Sequence, residues 1–459
     1  MGSPGNTIRS IGSRRPILPR RPLLEALRSR SAAIGDNSGR RLVVAHVTAP
    51  RFLPLYVCFA AAYVLSYTYR TVNAVISPDL TASLGISASS LGLLTSAYFV
   101  AFASMQVPCG ILLDRYGPRR VEPVLLVVAT LGALAFAGSD TLAGLTAARA
   151  LIGAGVAVCL MAPVKAIATW YPRERQPSLG GWMMFAGGVG ALLSTTPLVA
   201  ALNVMSWREI FVALAVATLA AAIAIALVVP DTPHEMRIAA AQGAWRGVKL
   251  VYRHPRLWWI APITALGNGS LMAIQGLWSV PWMIEVNGYT RAEAADHLLA
   301  MGLTTLAGYA FVAMASTRLA RHGIAPRHLV IGGYGLQVVM LGLIMSSALP
   351  FTHLLWALYG LTGAVNILGY LLLTEGFARD LAGRASTALN LVMFSTTFAV
   401  QWGIGAVADA MRIGFGLNLA GGLRVAFALA FAAEAIAYLW FALRWRRHAV
   451  VGRLASVAG

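Results

Sequence analysis

The chain has 459 residues, 58% of them hydrophobic and only 12% charged, and its mean hydropathy of +0.70 exceeds what a water-soluble core needs, which excludes a soluble globular protein. The net charge of +19 is dispersed over separate loops, a pattern of topology control that excludes a nucleic-acid-binding face. Cys58, Cys109 and Cys159 all lie in apolar runs without paired spacing, so neither a disulfide framework nor a metal site is expected, and no cofactor motif is present.

Residues 1–50 set Arg9, Arg14, Arg15, Arg20, Arg21, Arg28, Arg30, Arg40 and Arg41 among Ser, Gly and Pro, with Glu25 and Asp36 opposing them. Such a segment is expected to be a disordered, basic cytoplasmic tail. A mitochondrial transit peptide or an over-long start fits the same composition.

Apolar runs follow near 53–77, 88–112, 121–139, 142–167, 178–201, 208–229, 257–283, 296–317, 328–348, 353–375, 386–410 and 424–443. At about 20 residues per crossing this predicts an all-α membrane protein of twelve transmembrane helices. The loops on the side of the termini hold most of the arginines, whereas the other side carries only Arg208, Arg291, Arg412 and Arg424, so both termini are expected to be cytoplasmic. Residues 230–256 form the long polar interruption, with the mixed faces of an interfacial helix over 236–251. The expected organisation is therefore a six-helix bundle over 51–229, this linker, a second six-helix bundle over 257–446 and a cytoplasmic tail over 447–459.

Between the second and third runs stands Gly110-Ile111-Leu112-Leu113-Asp114-Arg115-Tyr116-Gly117-Pro118-Arg119-Arg120. Its charges belong at a membrane face, and Gly110 and Gly117 would let two helix ends come close. The loop resembles the signature of the major facilitator superfamily: Gly, three residues, Asp-Arg, one residue, Gly, then a basic pair. Gly110, Asp114, Arg115, Gly117 and Arg119 match it. A second copy, Ala315 to Gly323, keeps Arg321 and Gly323 but has Ala320 in place of the acid. Arg149 to Gly155, Trp170 to Arg175 and Trp207 to Phe211 are similar to further segments of the family, and the resemblance covers about residues 51 to 446. It implies two pseudo-symmetric six-helix halves with a solute site near the midplane between them. It also implies that Asp114 faces the amino end of the eleventh span, near Ala385 to Thr387, and latches the cytoplasmic side shut when the cavity opens outward.

Polar residues at helical spacing mark the faces turned away from lipid. In the first span Tyr63, Ser66, Tyr67, Arg70, Asn73 and Ser77 form one stripe. The seventh carries Asn268, Met272, Gln275, Trp278 and Trp282; the tenth Tyr359, Thr362, Asn366 and Tyr370; the eleventh Asn390, Phe394, Thr397 and Gln401. Singly, such residues also serve to bridge helices. Together they predict a pocket from Tyr63, Tyr67, Arg70, Asn73, Gln275, Trp278, Tyr359, Asn366 and Gln401, with Arg70 as an anion anchor because a guanidinium keeps its charge and offers a planar fork. Tyr69-Arg70 is similar in position to the first-span arginine of organic-anion and organophosphate carriers of the superfamily.

Arg149, by resemblance, and Glu434, as a carboxylate near mid-span, are the candidates for proton coupling. The fifth span has Gly190 followed by Ala191, not by the Pro of proton-coupled drug exporters, which favours uptake. His297 and Met301 could place two soft ligands on one helix face, short of a coordination shell. No in-membrane catalytic constellation converges, so an enzyme is not expected. The expectation is a monomeric secondary transporter in a bacterial inner membrane that imports a small organic anion or zwitterion with protons, the alternative being proton-coupled export of amphipathic compounds.

Overall fold

The computed structural model describes residues 1–2, 52–172, 175–231, 244–321, 326–347, 350–377 and 379–457. The expected basic tail, most of the linker and the tip of the second signature loop lie outside them. Among the described residues all regular structure is helical, beginning with α1 (Phe52–Leu84), α2 (Ala88–Ser104), α3 (Gln106–Tyr116), α4 (Pro118–Gly138), α5 (Leu142–Val156), α6 (Met161–Trp170), α7 (Gln176–Leu193), α8 (Thr196–Leu202) and α9 (Trp207–Val228). After the short α10 (Ala244–Arg253) come α11 (Pro255–Ala273), a π-turn at Ile274–Trp278, α12 (Ser279–Glu285), α13 (Arg291–Arg321), α14 (Pro326–Ser346), α15 (Thr352–Thr362), α16 (Val365–Thr374), α17 (Arg379–Phe415) and α18 (Leu419–Val457).

Local chemistry explains where these helices start and break. Ser87 caps α2 by accepting from the Ser90 amide, and Ser206 with Glu209 forms a capping box at the start of α9, each satisfying amides that a helix end leaves free. Proline removes a donor, and its ring collides with the carbonyl four residues back. Pro108 accordingly bends the second span by 43° between α2 and α3, and Pro197 bends the fifth by 42° between α7 and α8. Pro163 follows the irregular turn at 157–160, and Pro281 follows the π-turn. The break between α15 and α16 has no proline; there the Asn366 amide donates to the Gly363 carbonyl at 3.0 Å.

Among the described residues eight helices are long and apolar enough to cross a bilayer, and counting each bent pair as one span brings this to ten. The remaining two of the twelve expected spans fall on α13, with Glu293, Asp296 and His297 in its first turns, and on the split pair α15 and α16, each shorter than one crossing. Side chains such as Val124, Leu131, Val216, Leu227, Phe311 and Ile436 project outward, as lipid-facing residues must when no water competes for them.

Packing divides unevenly along the membrane normal. One continuous core joins α1–α9 to the α12, α13 and α15 region, including Leu94, Phe99, Ile274, Trp282, Met301, Tyr359 and Phe427. A second, separate core, with Leu257, Val330, Leu368, Ala385 and Phe441, occupies the other end of the C-terminal helices. The two bundles are thus fused at the face opposite Phe52, where α1 begins. Polar contacts reinforce that closure: Arg291 of α13 pairs with Asp79 of α1 and donates to the Val75 carbonyl at 2.6 Å, and Thr196 of α8 donates to Asp296 at 3.0 Å. Asp409 of α17 accepts from the Ala88 and Ser89 amides at 3.3 and 2.7 Å, so a carboxylate caps the α2 amino end, where the helix dipole favours it.

Candidate functional site

Arg70 stands about 27 Å along α1 from Phe52, 5% exposed. Its guanidinium carbon lies 4.4 Å from the centre of the Tyr67 ring, 5.2 Å from Phe102 of α2 and 5.4 Å from Phe394 of α17. Tyr98 also faces it, with its hydroxyl donating to the Ser66 carbonyl at 3.3 Å. Among the described residues no carboxylate pairs with Arg70, and its Nε has no hydrogen-bond partner. Ring faces attract a cation without cancelling its charge, so Arg70 keeps its attraction for an anion.

Rings and amides from both bundles meet at this cation. Tyr63 and Tyr67 stack edge to face at 5.1 Å. Tyr309 of α13 and Tyr370 of α16 are within electrostatic reach of both Tyr67 and Arg70. Tyr370 donates its hydroxyl to Asn390, whose amide in turn reaches Gln106 at 3.4 Å. Phe102 and Phe394, 4.5 Å apart, close the floor between α2 and α17. Tyr67, Tyr309 and Tyr370 are part-exposed, on the side of the fused core toward Phe52. Behind Tyr63 and Tyr67 passes α7, where a Cβ on Gly187 would come within 2.6 Å of Tyr63 and 2.8 Å of Tyr67; the close approach requires glycine.

The predicted residues therefore separate. Tyr63, Tyr67 and Arg70 stand together at the cleft floor, and Gln275 is part-exposed in the π-turn. Asn73 instead donates to Thr95 at 3.0 Å between α1 and α2. Trp278 donates to the Gln401 carbonyl at 2.8 Å, and the Gln401 side chain is fully buried beside α2. Asn366 accepts from Tyr334 at 2.9 Å at the helix break, and Tyr359 is sealed inside the C-terminal helices. An inward face includes packing against a neighbouring helix as well as the lumen, and several stripe residues meet a neighbour there. Tyr98, Phe102, Tyr309 and Gln106 lay outside the sequence reading, having no charge to mark them.

In the signature loop Gly117 has a φ of +80° between α3 and α4, which glycine tolerates at no steric cost. Gly110 has room for a side chain, with its nearest would-be neighbour at 3.7 Å, so close approach does not account for it. The Asp114 carboxylate pairs with Lys165 of α6 at 2.6 Å, a partner within the N-terminal helices. Arg115 is exposed beside Tyr116, Arg119 donates to the Ala226 carbonyl at 3.1 Å, and Arg120 pairs with Asp231 at 2.7 Å. Lysine in an apolar run was the available signal for Lys165.

Arg149 is fully buried, donates to the Tyr69 carbonyl at 2.9 Å and stacks 5.2 Å from Tyr98. Tyr98 thus stands between two guanidinium groups. Glu434 is fully buried in α18. It is not the only such carboxylate, because Glu122 is also fully buried, turned toward the Cys159 thiol. Helix α4 begins at Pro118, shortly before the expected run at 121, and Glu122 stands in its second turn. His297 does not pair with Met301 as a ligand set; its ring stacks on His353 at 3.4 Å and lies 2.7 Å from the Glu293 carbonyl.

The family model of the Major Facilitator Superfamily matches residues 59–400. The chain belongs to the Major Facilitator Superfamily. It is a multi-pass membrane protein with the fold of that superfamily. Over 151 residues it is 30% identical to the hexuronate transporter of Escherichia coli (strain K12), covering 32% of this chain and 34% of that one. Over 148 residues it is 26% identical to the galacturonate transporter of Dickeya chrysanthemi, covering 32% and 43%. The matched segments thus span only a third to under a half of these relatives. A bacterial homologue of the human lysosomal transporter Spinster, solved in an inward-facing and unoccupied conformation, shares the fold with a TM-score of 0.68 at 14% identity, covering 86% of this chain and 97% of that one.

Proposed function

We propose that this transporter imports small organic acids of the sugar-acid kind, driven by protons, as a monomer in a bacterial inner membrane with both termini in the cytoplasm. The observation that carries the reading is the buried, ring-caged Arg70 without a carboxylate partner among the described residues. A sugar acid brings one carboxylate for the guanidinium fork, C–H faces for Phe102 and Phe394, and hydroxyls for Tyr67, Tyr370, Asn390 and Gln106. The segments shared with hexuronate and galacturonate carriers support the same class. The arginine-rich loops on the terminal side support the orientation. Asp114 and its loop serve in this reading to hold the terminal ends of the N-terminal helices through Lys165, Ala226 and Asp231.

Uptake of galacturonate into proteoliposomes tests it. Arg70→Ala and Arg70→Lys should lower uptake about a hundredfold, the value of two charge-assisted hydrogen bonds, while the protein stays monodisperse in detergent. Wild-type flux in Arg70→Ala would sink the anchor, and flux indifferent to a protonophore would remove the coupling.

A further inference from the structure

Three helices bring neutral oxygens to one buried carboxylate on a fourth in the C-terminal half. Glu434 lies about 22 Å along the 27-residue span Leu419–Trp445, which is about 40 Å long, so it stands near the middle of the crossing. Its carboxylate faces Ser270 of α11 and Gln337 of α14, and Tyr359 of α15 stands against Gln337. All four residues are fully buried. Among the described residues Glu434 Oε1 and Oε2, Ser270 Oγ, Gln337 Oε1 and Tyr359 Oη make no short hydrogen bond, with Ser270 and Gln337 near enough to act on the carboxylate. Gln337 Nε2 donates to the Gly267 carbonyl at 2.6 Å, which leaves its Oε1 as an acceptor for a cation or for the protonated carboxyl.

No Arg, Lys or His among the described residues pairs with Glu434. The titratable groups facing it are Tyr359 and, from α14, Tyr334; α11 offers Ser270, and α12 and α17 present no charged group to it among the described residues. An unpaired carboxylate at this depth costs several kcal/mol, so its charge must be neutralised in place. One negative charge with uncharged oxygens around it suits one monovalent cation, and oxygen donors select a hard ion over a soft metal. Tyr334 also donates to Asn366 at the break between α15 and α16, which gives the cluster a polar neighbour on the cleft side.

We propose that Glu434, Ser270, Gln337 and Tyr359 form a binding site for one monovalent cation, a proton or a sodium ion. It deepens the reading of the protein as a gradient-driven carrier by naming where the driving ion binds, yet binding itself is measured without solute. The purified full-length protein is unfolded thermally in sodium chloride and in choline chloride at matched ionic strength, and in sodium-free buffers from acid to alkaline. A midpoint that rises with sodium in the wild type, and not in Glu434→Gln, identifies sodium. A midpoint indifferent to sodium that falls as pH rises, with this slope flattened in Glu434→Gln, identifies a proton. Identical sodium and pH responses in wild type and Glu434→Gln overturn the site. Should Glu434→Gln not fold, Ser270→Ala takes its place, with the response expected to weaken several-fold and an unchanged response overturning the proposal. These measurements contain no sugar acid, so a failed uptake assay leaves their outcome intact.

Discussion

In the N-terminal bundle the buried charges Arg70 and Arg149 are stacked on aromatic rings, whereas in the C-terminal bundle Glu434 stands among neutral oxygens. Rings and oxygens leave the two charges uncancelled in opposite senses. A caged guanidinium remains attractive to an anion, and a carboxylate among oxygens remains attractive to a small cation. Access differs as well. Arg70 borders the part-exposed Tyr67, Tyr309 and Tyr370, so an organic solute can reach it, while Glu434 and its neighbours are sealed from anything larger than an ion. On the reading proposed here, the same fold, repeated with different side chains, separates a solute seat from an ion seat. Glu122 is the exception, a buried acid on the cationic side, turned to a thiol.

Crowding the solute seat from behind is the stronger way to break this division. Gly187→Val places atoms where Tyr63 and Tyr67 now stand, and galacturonate affinity should fall about tenfold or more, with overpacking strain of about 1–3 kcal/mol. Titration calorimetry checks it, and the thermal response to sodium or pH should stay that of the wild type. A smaller change sharpens the floor of the seat. Tyr370→Phe removes the hydroxyl that bonds Asn390 and should cost about 1 kcal/mol, roughly fivefold in galacturonate affinity, again without altering the ion response. If either variant changed the ion response as strongly as the solute affinity, the two seats would be one.

How much of this was legible in the chain follows from what helix periodicity can carry. The stripe through Tyr63, Tyr67 and Arg70 was readable because α1 is regular over its 33 residues, and the signature loop because charge between apolar runs must lie at a membrane face. Elsewhere the breaks intervened. Pro108, Pro163 and Pro197 bend or interrupt their spans, so faces counted across them do not stay aligned. Asn73, Tyr359 and Gln401 share inward faces with the cleft residues but meet a neighbouring helix there. Which inward face meets water depends on how the bundles separate, and a single chain's spacing carries no record of it. Lys165 illustrates the point, since its pairing with Asp114 joins residues of α6 and α3 that only tertiary packing brings together. Glu122 lay inside the expected run but at its charged end, next to Arg119 and Arg120, where an acid reads as part of the membrane-face loop.

The most direct test of the central claim is galacturonate-dependent thermal stabilisation of three proteins side by side: wild type, Arg70→Gln and Glu434→Gln. At a hundred times its dissociation constant a ligand stabilises by about 2.7 kcal/mol. The wild type and Glu434→Gln should gain that stabilisation and Arg70→Gln should gain none. Equal stabilisation of Arg70→Gln and wild type would contradict the assignment of Arg70 as the anion anchor.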